Sequence, residues 1–102
     1  MTCSFNGYQS QAFEFAVYKD RMYPIAGLSE EVGEVCALFA KALRKHGEVD
    51  VVDPQKLQDE LSDVLWMLAA VATEFGLSLQ TIADHNLDKL ERRREKDEIV
   101  ER

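Results

Sequence analysis

Two short acidic motifs hold the residues best suited to chemistry: Glu31-Val-Gly-Glu34 and Glu60-Leu-Ser-Asp63. Each sets two carboxylates three residues apart, which on a helix puts both on one side of a single turn. At about 100° per residue, the line through Glu60 and Asp63 continues into Met67 and Ala70, so it borders an apolar face. Glu74 lies further along the same line. The line through Glu31 and Glu34 passes Leu38 to reach Lys41 and Lys45, an acidic stretch giving way to a basic one. With the two helices antiparallel and these lines facing, four carboxylates converge at the edge of a core. Repulsion and desolvation then raise their pKa values unless a cation is present. All-oxygen ligands suit Mg²⁺ or Mn²⁺ rather than zinc, and Mg²⁺ typically shares its shell with substrate phosphates. Such an ion neutralises phosphate charge and supports attack of water on phosphorus. Either motif alone reads more simply as a solvated helix face. Both together, beside apolar stripes, favour the functional reading.

The elements that must position these groups are helical, because apolar residues recur at three and four positions. The expected fold class is all-α, a four-helix bundle. A first helix is expected from Tyr8 to Tyr18, with the Lys-Asp-Arg-Met-Tyr-Pro stretch ending it. A second, starting near Pro24 and reaching about Lys45, has Leu28, Val32, Val35, Phe39, Ala42 and Leu43 as its core stripe and Gly47 as its stop. Asp53 and Pro54 form an N-cap and first-turn pair. The third helix runs from Pro54 to about Phe75, with Leu57, Leu61, Val64, Leu65, Leu68, Val71, Ala72 and Phe75 on a wide apolar face. Gly76 ends it, and Ser78 caps a fourth helix through Thr81, Ile82, Leu87 and Leu90, which fades into a charged tail. Gly33, inside the first acidic turn, costs roughly 1 kcal/mol relative to Ala in an exposed helix. Close helix approach or substrate access would justify it.

The chain has 102 residues, 46% of them hydrophobic and 30% charged, which fits one globular domain. A chain of this size buries only about 60–70% of its unfolded surface, so self-association is the natural complement to its small core. The net charge of −7 arises within residues 1–87. That balance opposes binding to a nucleic-acid polymer, where affinity comes from cations displacing counterions. Cys3 and Cys36 form no CxxC and have no His at ligand spacing, which favours a reduced protein. With no charged leader and no run of ~18–20 apolar residues, a soluble, cytoplasmic protein with no membrane association is expected. Neither His46 nor His85 follows a Glu by three residues, which argues against a carboxylate-bridged di-iron bundle. There is no Ser-His-Asp or Cys-His spacing and no GxxxxGK phosphate loop.

The order GLSEEVGEV, DELSDVLWML and NLDKLERR resembles the MazG-like nucleoside triphosphate pyrophosphohydrolases, within the all-α superfamily of dimeric dUTPases and phosphoribosyl-ATP pyrophosphohydrolases. The resemblance spans residues 8–95. It implies that Glu31, Glu34, Glu60 and Asp63 hold Mg²⁺ against a triphosphate while water attacks the α-phosphorus, releasing a nucleoside monophosphate and pyrophosphate. One of these, or Glu30, would instead orient the water. It further implies that Asn86, Lys89 and Arg93 lie near the phosphates, across a subunit boundary in a homodimer or homotetramer. Lys41 and Lys45 are phosphate candidates from the stripe on their own helix, not from the family. Gln9, Phe13, Tyr23 and Trp66 are candidates for a nucleobase pocket, with core packing the simpler role, and the Trp66 indole needs a hydrogen-bond acceptor. A narrower enzyme acting on dUTP, dCTP or phosphoribosyl-ATP and a non-catalytic helical oligomerisation module are the competing functions.

Overall fold

The computed structural model describes residues 4–96, which form four helices: α1 (Phe5–Phe13), α2 (Tyr23–His46), α3 (Pro54–Glu74) and α4 (Leu79–Glu95). There is no strand among the described residues, so the fold is all-α as expected. Cys3 and positions 97–102 of the charged tail lie outside them.

Side-chain caps set most boundaries. Ser4 Oγ accepts the Gly7 N–H at 2.9 Å, so α1 begins three residues before the expected Tyr8. It also ends earlier than Tyr18. The Ala12 carbonyl accepts both the Phe15 N–H (3.1 Å) and the Trp66 indole N–H (3.0 Å), and the chain turns away there. Tyr18 then folds back to stack on Tyr23 at 5.4 Å and to meet Trp66 edge-on. Pro24 sits in the first turn of α2, where its missing N–H leaves no bond unmade. Gly47 closes α2 at φ 72°, in the left-handed region that favours glycine. Asp53 caps α3 through the Gln55 N–H at 2.9 Å, and Ser78 caps α4 through the Thr81 N–H.

α2 and α3 form an antiparallel hairpin whose register is marked by Gly27. A Cβ there would stand 2.6 Å from Met67 Cε, so the missing side chain is what lets Met67 lie across the seam. α1 lies against α3 and α4, tied by Gln9. Its amide donates to Thr73 Oγ1 (3.1 Å) and the Leu77 carbonyl (2.8 Å) and accepts the Leu79 N–H (2.8 Å). α4 leaves α3 at 103° and extends away from the hairpin.

The core is small. Ala12, Ala42, Met67, Ala69, Ala70, Ala72 and Leu79 are buried, together with Pro24. Of the expected stripe on α2, Leu28, Val35 and Phe39 are half-buried, but Val32 is 45% and Leu43 53% exposed. On α3, Leu61, Leu65, Leu68 and Phe75 are also exposed. The helices packed against α2 and α3 cover a narrower arc than these apolar faces present, and their outer sides stay open. Phe75 is partly covered by the Arg21 guanidinium, 4.5 Å from its ring centre.

Nothing lies within 4 Å of the position a Cβ would take at Gly33, so no helix of the same chain approaches there. Gly33→Ala should therefore stabilise the fold by about 1 kcal/mol through helix propensity. Chemical denaturation measures it, and a loss of stability would show that a second copy packs against this glycine.

Candidate active site

The register that places Gly27 against Met67 also places Glu31 opposite Asp63 and Glu34 opposite Glu60. Both acidic motifs therefore meet across the middle of the hairpin. One carboxylate oxygen from each of Glu31, Glu60 and Asp63 lies within 4.8 Å of the other two. Glu31 and Glu60 are half-buried, and Asp63 and Glu34 are exposed. Glu34 stands one turn from Glu31, outside this trio but near enough to repel both Glu31 and Glu60.

Withdrawal from water pushes the Glu31 carboxyl above its usual range, with Asp63, Glu30, Glu60 and Glu34 adding repulsion. Glu60 is raised by desolvation and then by Glu34, Asp63 and Asp59. None of the four carboxylates has an ion-pair or hydrogen-bond partner among the described side chains. Three hard oxygen donors without a neutralising cation, open to solvent on one side, fit Mg²⁺ or Mn²⁺ and offer no soft ligand for zinc. Glu74, on the same helical line, is separate: its Oε2 accepts the Tyr18 hydroxyl proton at 2.6 Å. Burial and that carboxylate push the Tyr18 phenol up to about 12.

The other candidates are dispersed. Lys41 and Lys45 line a pocket at the closed end of the hairpin with His46 and Lys56, the last being a residue the sequence reasoning missed although it stands one turn before Glu60. Asn86, Lys89 and Arg93 lie on α4, where Asn86 is exposed and the two cations are half-buried. Since α4 turns away, the chain does not itself bring them to the carboxylates. Tyr23 and Trp66 line a cleft of about 560 Å³ with Phe15, Val17, Tyr18, Lys19 and Asp20. Trp66 is three residues beyond Asp63, so the cleft adjoins the acidic cluster. Gln9 is committed to structural hydrogen bonds and Phe13 lies outside the cleft. The indole of Trp66 has the acceptor it needs, the Ala12 carbonyl. Phe15 and Tyr18 were missed because the expected first helix ran through them.

With Glu31 and Glu60 both raised, Glu60→Gln removes repulsion. In metal-free buffer near pH 7 the variant should melt above the wild type. The folded chain binds more protons than the unfolded one between the ordinary and the raised glutamate pKa, so this deficit of the wild type shrinks as pH falls through the raised value. It vanishes below about 4.3, the unfolded glutamate pKa. Mg²⁺ should raise the melting temperature of the wild type and leave that of the variant nearly unchanged. Thermal melts across pH, with and without the ion, check both expectations.

Comparison with known proteins bears on the family of the chain. The family model described as the MazG nucleotide pyrophosphohydrolase domain matches residues 23–97, which include α2, α3, α4 and every acidic residue of the cluster. The chain is 32% identical over 99 residues to the Gene 37 protein of Mycobacterium phage L5, covering 87% of each chain. No solved structure matches it.

Proposed function

The chain belongs to the MazG nucleotide pyrophosphohydrolase family, and we propose that it hydrolyses (deoxy)nucleoside triphosphates to the nucleoside monophosphate and pyrophosphate in a Mg²⁺-dependent reaction. The observation that carries this is the meeting of Glu31, Glu60 and Asp63 across the α2–α3 seam, within 4.8 Å of one another and without a cation of their own chain. These three residues would hold the ion, which supplies charge neutralisation at the phosphates and a lower barrier to attack by water.

The remaining roles follow from position. Glu34, at the exposed rim of the trio, accepts a proton from the attacking water through a carboxylate oxygen. The water oxygen bonds to the α-phosphorus, and the bond to the α–β bridging oxygen breaks, so that oxygen leaves with the electron pair as part of pyrophosphate. The cleft of Phe15, Tyr18, Tyr23 and Trp66 takes the base by stacking, since every nucleobase offers a π face. The Tyr18–Glu74 hydrogen bond fixes one wall of it.

A second copy of the chain completes this site. Val32, Cys36, Phe39 and Leu43 on α2 and Leu61, Leu65 and Leu68 on α3 follow helical spacing and, apart from the half-buried Phe39, are exposed. Such stripes pack in a four-helix arrangement of two hairpins. The radius of gyration, 16.4 Å, also exceeds the roughly 13 Å of a compact domain of this length. In the homodimer, or a homotetramer built from it, Asn86, Lys89 and Arg93 of α4 reach the phosphates of a neighbouring site. The setting is a reducing cytoplasm, and the role is removal of unwanted nucleotides from the pool.

A panel of canonical and modified NTPs and dNTPs, assayed for both products with and without Mg²⁺, tests the reaction. The wild type should release monophosphate and pyrophosphate only with the ion, and Glu60→Gln should lose at least 100-fold in rate, roughly the contribution expected of such a group. Glu34→Gln should lose hydrolysis yet keep the Mg²⁺-induced rise in melting temperature. A folded, oligomeric wild type that cleaves no triphosphate would make the chain a binding module instead. Leu65→Glu should convert the oligomer to monomer by light scattering and abolish activity without touching an acidic residue.

A further inference from the structure

The hairpin carries a second concavity of opposite charge. Lys41, Lys45 and His46 from the end of α2 and Lys56 from the first turn of α3 line a pocket of about 230 Å³. In a chain of net charge −7, none of the three lysines has an ion-pair or hydrogen-bond partner among the described residues. Asp53 also lines the pocket, but its Oδ1 is engaged as the N-cap of α3, accepting the Gln55 N–H. Three lysines against one carboxylate leave the pocket with an excess of positive charge among the described residues.

Its position along the seam is specific. Lys56 precedes Glu60 by four residues, about 6 Å along the axis, and Lys41 follows Glu34 by seven, about 10 Å. Helical side chains lean toward the N-terminus of their helix, so Lys41 and Lys45 lean toward the carboxylates. The aromatic cleft lies on the opposite side, beyond Asp63 and Glu31. Along one seam the hairpin therefore presents an aromatic cleft, a carboxylate cluster and a cationic pocket. A nucleoside triphosphate presents a base, an α-phosphate and two further phosphates in the same order.

We propose that the pocket of Lys41, Lys45 and Lys56 receives the β- and γ-phosphates of the substrate and retains them after cleavage as pyrophosphate. Lys56 touches them from α3 and Lys41 from α2. The assignment rests on the proposed hydrolysis at the α-phosphorus and fixes the direction in which the substrate lies. The α-phosphate sits over the acidic trio with its leaving group drawn toward the closed end of the hairpin. Lysine suits this task as a compact point charge on a flexible stem.

The test is calorimetric titration of the full chain with pyrophosphate, with a dNTP whose α–β bridge is an imido group, and with a nucleoside monophosphate. Wild type, Lys56→Gln and Lys56→Arg are compared with Mg²⁺, and pyrophosphate is also titrated without metal while lysine side-chain NMR signals are followed. Lys56→Gln should weaken pyrophosphate and the imido analogue roughly tenfold, the loss expected of one charged hydrogen bond, and leave the monophosphate unchanged. Lys56→Arg should restore most of that loss, and melting temperatures should match across the three proteins. Pyrophosphate binding unaffected by Lys56→Gln, or an equal loss for pyrophosphate and monophosphate, overturns the assignment. If the nucleotide panel shows no hydrolysis but pyrophosphate still shifts the Lys41 and Lys56 signals, the pocket stands as a pyrophosphate site and only the reaction reading fails.

Discussion

Glu31 and Glu60 are brought close to each other and to Asp63 across a helix seam where water is partly excluded, and neither has a cationic side chain to answer it among the described residues. Repulsion of this kind works against the packing of α2 on α3, yet that packing supplies most of what order the chain has. Apolar contact has to hold the seam closed while the acids push it open. Gly27 under Met67 on one side of the acids and Ala42 on the other serve as the clamps. The Trp66 indole bond to the Ala12 carbonyl fixes the outer face of α3 as well. A bound divalent ion would turn the opposing force into a favourable one, so folding and the proposed ion binding would draw on the same three side chains.

The rest of the architecture can be understood as what this hairpin leaves undone. Among the described residues eight buried apolar side chains, mostly alanines, make a thin core. The wide faces of α2 and α3 carry more apolar residues than their neighbours cover. α1 braces α3 and the α3–α4 turn through Gln9, whose amide meets three separate groups. α4, set at 103° to α3, then carries its cations outward. A chain arranged in this way has its carboxylates on one part of its surface and its C-terminal basic residues on another. The proposed association of copies would reconcile the two, covering the apolar stripes and bringing opposite charges together.

Charge is also ordered along the seam. Aromatic rings, acids and lysines follow one another from the open end of the hairpin to its turn, each group within a turn or two of the next. Because an antiparallel pair has one register, each group is fixed relative to the others by the same contacts. Repositioning one would require sliding α2 on α3 and displacing Met67 from Gly27.

Much of this was legible in the residues alone. The helical period, the caps at Asp53 and Ser78, the stops at Gly47 and Gly76 and the paired carboxylates are local properties, set by backbone sterics and by spacing within a turn. The sequence therefore determined the all-α class, the second and third helices nearly to the residue, the start of the fourth, and the two acidic motifs. The tertiary structure decided what depends on residues far apart in the chain. The first helix ends early because Trp66, 54 positions on from Ala12, takes its carbonyl. Val32, Leu43 and Leu61 are exposed because the helices packed beside theirs leave those sides uncovered. Lys56 joins Lys41 because the hairpin turns back on itself. Gly27, rather than Gly33, is where the helices crowd, since register across a seam comes from side chains meeting through space, and no spacing along one helix encodes it.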